Sequence, residues 1–97
     1  MAFHAYLLRC SDGSFYAEHT DALESRLAQH QDGTGARYTS TRSPITLVWT
    51  ESFVTRDEAL SAERRVKGWS RAKKQALING DWDRISLLAR NRQEQEE

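Results

Sequence analysis

Cysteine occurs once, at Cys10, and proline once, at Pro44. A single thiol excludes an internal disulfide framework and a thiolate zinc cluster. The three histidines, His4, His19 and His30, fall with Cys10 at no spacing that zinc sites use. No apolar run approaches the roughly 20 residues of a membrane span. The longest runs are strand length, such as Ile45-Thr46-Leu47-Val48-Trp49. The opening Met-Ala-Phe-His lacks the basic and then apolar pattern of a signal peptide. No internal repeat or dividing linker is visible. These absences point to a cytoplasmic protein with no membrane attachment. A single domain is expected over residues 1–88, with a flexible acidic tail over 89–97.

The chain has 97 residues, 38% hydrophobic and 29% charged. That is room for one small domain, too apolar for a disordered chain and too polar for a membrane protein. Its formal net charge of zero hides an asymmetry. All 14 Lys and Arg lie within residues 1–92, and the last five residues hold three Glu and no base. Arg64, Arg65, Lys67, Arg71, Lys73 and Lys74 form a basic run with no acid inside it. Such a run suits a polyanionic partner, or else forms a solvated helical face.

Residues 3–9, rich in aromatic and aliphatic side chains, read as a buried strand. Ser11-Asp12-Gly13-Ser14 is a turn cluster, and residues 15–20 read as the second strand of a β-hairpin. Thr20 or Asp21 is a candidate cap for a first helix, with Glu24 three residues beyond Asp21. Leu23, Leu27 and His30 share one helical face, and Arg26 lies four residues before His30. Residues 33–44 read as a long loop, and 45–53 as a third strand. Thr55 and Glu58 have the spacing of a capping box for a helix to about Lys67, with Ala59, Ala62 and Val66 on one face. Ser70 is placed to cap a helix over about 70–79, and Asp81 a last short one to Leu88. The expected fold is α+β: a small three-stranded antiparallel sheet flanked by helices, in the order β-β-α-β-α-α.

This order puts Tyr6 and Tyr16 on the hairpin, Arg26 and His30 on the first helix, and Glu63 on the second. Each has an ordinary structural explanation taken singly. The tyrosines suit a core with a bonded hydroxyl. Arg26 suits a solvated helix face, His30 a helix C-terminus, and Glu63 an i,i+4 pair with Lys67. Read together, an ordered set stands out. Tyr6-Leu7-Leu8-Arg9-Cys10, Asp12-Gly13-Ser14, Tyr16, Thr20, Leu23, Arg26, Leu27 and His30 open it. Gly33, Gly35-Ala36-Arg37-Tyr38-Thr39, Pro44, Glu58-Ala59, Glu63 and Lys67-Gly68 continue it. Over about residues 3–80 the chain resembles the small stand-alone GIY-YIG nuclease domain of the compact bacterial type.

The resemblance implies a metal-dependent endonuclease that hydrolyses DNA phosphodiester bonds, in a setting such as repair or recombination. Tyr6, Tyr16, Arg26 and His30 match its catalytic positions, and Glu63 its ligand for Mg²⁺ or Mn²⁺. Tyr38 matches a position near the active site. With Arg37, Arg64, Lys67, Arg71, Lys73 and Lys74, it completes the expected nucleic-acid contacts. The residue types suit the chemistry. A hard cation on one carboxylate keeps waters and binds phosphate. Arginine offers phosphate a charged two-pronged donor. Tyr6 or His30 is the base that activates water; for Tyr6 this needs nearby cations to lower its pKa well below about 10.

The second motif departs from the family. Tyr16-Ala17-Glu18 stands where the family has Gly at the third position. Strand alternation puts Glu18 on the face of Tyr16. There a carboxylate repels substrate phosphate or serves as an extra metal ligand. The alternative reading is therefore a catalytically impaired nucleic-acid-binding module on the same fold, using the basic run and Trp69. An interaction domain built on Trp49, Trp69 or Trp82 has no specific support.

Overall fold

The computed structural model describes residues 2–88, so the tail expected over 89–97 lies outside the described residues. Two compact units divide at Lys67 and Gly68. The first contains β1 (Phe3–Arg9), β2 (Phe15–Thr20), α1 (Leu23–Asp32), α2 (Arg37–Ser40), β3 (Thr46–Phe53) and α3 (Arg56–Lys67). The second contains α4 (Arg71–Ile78) and a further helical stretch over residues 82–88.

The three strands form an antiparallel sheet in the order β2-β1-β3. The expected hairpin sets its register. Gly13, at φ 84°, turns the chain, and Asp12 Oδ1 accepts from the Ser14 N–H at 3.0 Å. The turn pairs Tyr6 with Glu18 and Leu8 with Tyr16. Period-2 alternation then puts Tyr6, Leu8, Tyr16 and Glu18 on one face. There Tyr6, Leu8, Cys10 and Ile45 form a buried cluster, with Leu23 and Leu27 of α1 packed against it. Ala5, Leu7, Ala17 and His19 point to the other face. α3 lies against β1 and β2 and buries Ala59, Ala62 and Val66.

Three of the four expected caps form. At Thr55 the box is complete: Glu58 N–H donates to Thr55 Oγ1, and Thr55 N–H to Glu58 Oε1, both at 3.2 Å. Ser70 Oγ accepts from Lys73 N–H at 3.2 Å, and Asp81 Oδ1 from Arg84 N–H at 3.0 Å. The first helix differs. Its cap residue is Ala22, with no side-chain hydrogen bond. Thr20 Oγ1 instead accepts from Ala22 N–H at 3.0 Å. Asp21 turns away to Arg56, 3.0 Å distant, since a full opposite charge outcompetes a neutral N–H. Residues 33–44 also hold a short helix, α2, where a loop is expected. It is a single turn, closed by Ser40 N–H on Ala36 C=O at 3.0 Å, and too short to show a helical period.

Candidate active site

Four of the expected side chains meet at one carboxylate. Glu18 sits on β2 opposite Tyr6 and two residues from Tyr16. Tyr6 Oη donates to its Oε1 at 2.8 Å, and Tyr16 Oη to its Oε2 at 2.7 Å. From α1, Arg26 closes a fork on the same group, Nε to Oε1 at 2.5 Å and Nη2 to Oε2 at 3.1 Å. His30 Nε2 lies 3.8 Å from Oε1. Two hydroxyls and a guanidinium thus converge on a two-oxygen anion, the geometry in which charged hydrogen bonds are strongest.

His30 is fully buried. Its Nδ1 lies 2.8 Å from Thr39 Oγ1, and its Nε2 2.9 Å from Tyr6 Oη. Thr39 Oγ1 also donates to the Ala36 carbonyl at 3.2 Å. The hydroxyl's one proton being spent there, His30 carries its own proton on Nδ1 and donates to Thr39, an assignment made from the hydrogen-bond network. Nε2 is then an acceptor facing Tyr6. The single phenolic proton of Tyr6 has two acceptors, Glu18 and His30, and the charged one takes it. Gly35 backs this arrangement. A Cβ there would stand 2.8 Å from His30 Nδ1 and 2.9 Å from its backbone N.

The charges follow from these contacts. Burial alone would raise Glu18. The bonds from Arg26, Tyr16 and Tyr6 outweigh it and hold the carboxyl down at about 2. The Glu18 bond raises Arg26. Burial, then the Glu18 contact, push the Tyr6 hydroxyl far up. The expected lowering of Tyr6 by nearby cations is therefore outweighed: Arg26 does lower it, but burial first, and then the bond and charge of Glu18, raise it more. Tyr16 is raised for the same two reasons in the same order, with a further push from the charge of Glu63. Burial lowers His30 and keeps its ring neutral.

Glu63 projects from α3 and is not bonded into this cluster. His19 Nδ1–H donates to its Oε1 at 2.9 Å, and Lys67 Nζ is 3.7 Å from its Oε2. The i,i+4 pair foreseen in the sequence is therefore present. Among the described residues, no group of three or more His, Cys, Asp or Glu could hold a metal. One half-buried carboxylate fits a Mg²⁺ or Mn²⁺ ion that keeps most of its waters, and does not fit an all-protein cage.

Tyr38 on α2 is half-buried and stacks on Tyr16 at 5.6 Å between centroids. The Arg42 guanidinium lies 3.9 Å over its ring. Arg37, Arg64 and Lys67 are exposed. In the second unit, Arg71 is exposed and Lys73 and Lys74 are half-buried, with Lys73 Nζ 4.9 Å over the Trp69 ring. Burial lowers Lys74. Sequence reasoning placed Gly35 and Thr39 in the ordered set but gave them no role, and it missed Arg42 and the His19–Glu63 bond. The last joins residues 44 apart, for which no local spacing gives a signal.

The sequence matches a known domain family. The family model described as the GIY-YIG catalytic domain matches residues 2–76, and the chain belongs to the GIY-YIG family, a family of DNA nucleases that generally use divalent metals. Its relatives are small UPF0213 proteins. That of Halobacterium salinarum is 47% identical over 75 residues, covering 77% of this chain and 97% of the relative. UPF0213 protein YazA of Bacillus subtilis is 44% identical over 73 residues, 75% of this chain and 74% of the relative. The solution NMR structure of a UPF0213 protein from Bacillus halodurans has a TM-score of 0.54 and 40% identity, covering 81% of this chain and 84% of that one. The solution NMR structure of the protein EF2693 from E. faecalis has a TM-score of 0.57 and 39% identity, covering 82% of this chain and 85% of that one. No helix among the described residues is long and apolar enough to cross a membrane.

Proposed function

We propose that the protein is a divalent-metal-dependent endonuclease acting on DNA phosphodiester bonds. The observation that carries this reading is the convergence of Tyr6, Tyr16 and Arg26 on a single two-oxygen anion beside a neutral, buried His30. A phosphodiester offers the same donors two charged oxygens. Arg26 forks onto them and neutralises the charge that grows as water attacks. Tyr16 fixes their orientation. His30 Nε2 accepts the Tyr6 proton, and Tyr6 in turn draws one from the attacking water. Burial, by keeping His30 neutral, leaves that acceptor open at physiological pH. Glu63 would hold Mg²⁺ or Mn²⁺, which would supply a Lewis acid at the phosphoryl and leaving oxygens. In the first unit Arg37, Tyr38, Arg64 and Lys67 contact nucleic acid; Arg71, Lys73 and Lys74 of the second unit are phosphate contacts of their own.

The Glu18–Arg26 fork specifically favours a second reading, a nucleic-acid-binding module with impaired catalysis. One assay separates the two: labelled single-stranded and duplex DNA, with Mg²⁺, Mn²⁺ or EDTA, treated with native protein and with Glu63→Ala. The nuclease reading expects metal-dependent cleavage that Glu63→Ala abolishes. Metal-free, salt-sensitive binding with no cleavage by either protein favours the module.

A further inference from the structure

Glu18 has no counterpart in the family pattern, yet it is the most heavily bonded side chain on the site's face. It takes both tyrosine hydroxyls and both prongs of Arg26. We propose that Glu18 is an internal stand-in for the substrate phosphate. Its carboxylate fills the place between Tyr6, Tyr16 and Arg26, and a phosphate engages the site only when Glu18 swings out. The inference deepens the nuclease reading and rests on it for the identity of the displaced ligand.

Three observations carry the proposal beyond mere proximity. First, the match is in kind. A carboxylate, like a phosphate, is a planar pair of anionic oxygens as seen by a guanidinium fork, and the bond from Arg26 is bidentate. Second, the occupation is complete. Each Glu18 oxygen takes one hydroxyl and one guanidinium N–H, so both tyrosine hydroxyls and the Nε–Nη2 edge of Arg26 are taken, while Nη1 turns to Gln29 Oε1 at 3.1 Å. Third, Glu18 diverts the Tyr6 proton from His30, the acceptor that catalysis uses. The resting arrangement thus opposes both substrate binding and proton transfer. The release has a route. β2 is an edge strand, and the Glu18 side chain, 18% exposed, reaches solvent.

The test measures phosphate binding separately from catalysis. Inorganic phosphate is titrated into native protein, Glu18→Gly, Glu18→Gln and the double variant Glu18→Gly/Arg26→Ala, followed by NMR of the Arg26 Nε and His30 ring resonances. Glu18→Gly is expected to bind phosphate at least tenfold more tightly than native protein, with shifts at Arg26 and His30 that the double variant loses. Glu18→Gln keeps the side-chain volume and removes the charge. It is expected to bind several-fold more tightly than native, and it decides the matter if the glycine variant fails to fold. Equal phosphate binding by native and variant proteins overturns the proposal. DNA cleavage in Mg²⁺ is then measured on the same samples, with a rise of at least tenfold expected for Glu18→Gly. Tighter phosphate binding without any cleavage upholds the stand-in role and overturns the nuclease reading instead.

Discussion

Glu18 decides more of this site's properties than any residue the family pattern would single out. Its carboxyl is pulled from 4.5 down to about 2 in the folded chain. A group whose pKa is depressed by folding contributes stability that is fully present above its unfolded pKa and lost as pH falls through the folded one. The window is therefore about pH 4.5 to 2, and the contribution roughly 3 kcal/mol at neutral pH. Urea unfolding followed from pH 6 to pH 2.5 is expected to show this loss, and Glu18→Gln is expected to flatten it. His30 acts in the same direction at higher pH. Burial depresses it, so its contribution fades as pH drops below about 6.5. Gly35 is a constraint of a different kind. Gly35→Ala drives a Cβ into the backbone and ring of His30. Its expected cost is about 1–3 kcal/mol, read by denaturant unfolding, with a displaced His30 ring resonance as the local signature.

Among the secondary-structure elements, the sequence was read most securely where a local rule had no competitor. The hairpin turn, the Thr55–Glu58 box and the Ser70 cap each use residues within four of one another, and all three form. Thr55→Ala is expected to cost about 1 kcal/mol, measured by thermal unfolding, with α3 losing helicity at its first turn. Asp21 shows the opposite case. It satisfies the cap rule on paper, but a partner 35 residues away, Arg56, claims its carboxylate. α2 was invisible for a different reason, one turn being too short to set a period. Yet α2 presents Thr39 to His30 and Tyr38 to Tyr16, so the least legible element places two of the site's contacts.

Across the whole chain, the order of elements put Tyr6 and Tyr16 on the hairpin and Arg26 and His30 on the first helix, and the family resemblance joined them into one site. Strand alternation placed Glu18 beside Tyr16. What alternation could not supply was the sign of the outcome. Arg26 does lower the Tyr6 hydroxyl, but burial, and after it the bond and charge of Glu18, raise it more. Nor could alternation reveal that Glu63, whose charge reaches the Tyr16 hydroxyl, is tied to His19. The basic run belongs to electrostatics rather than to fold. If its six bases contact single-stranded DNA, log affinity should fall with log salt at a slope of about −4. Replacing Arg64 and Lys73 by Ala should make that slope shallower by about 1, read by fluorescence anisotropy from 50 to 200 mM salt.

The central claim is that a phosphodiester occupies the place Glu18 holds and is cleaved there with a metal on Glu63. Its most direct measurement is the cleavage rate of labelled DNA by Glu18→Gly in Mg²⁺, beside Glu18→Gly/Glu63→Ala and an EDTA control. The expected result is cleavage faster than that of native protein, lost in EDTA and lost with Glu63. No cleavage by Glu18→Gly on single-stranded or duplex DNA, or cleavage that survives EDTA, would contradict it.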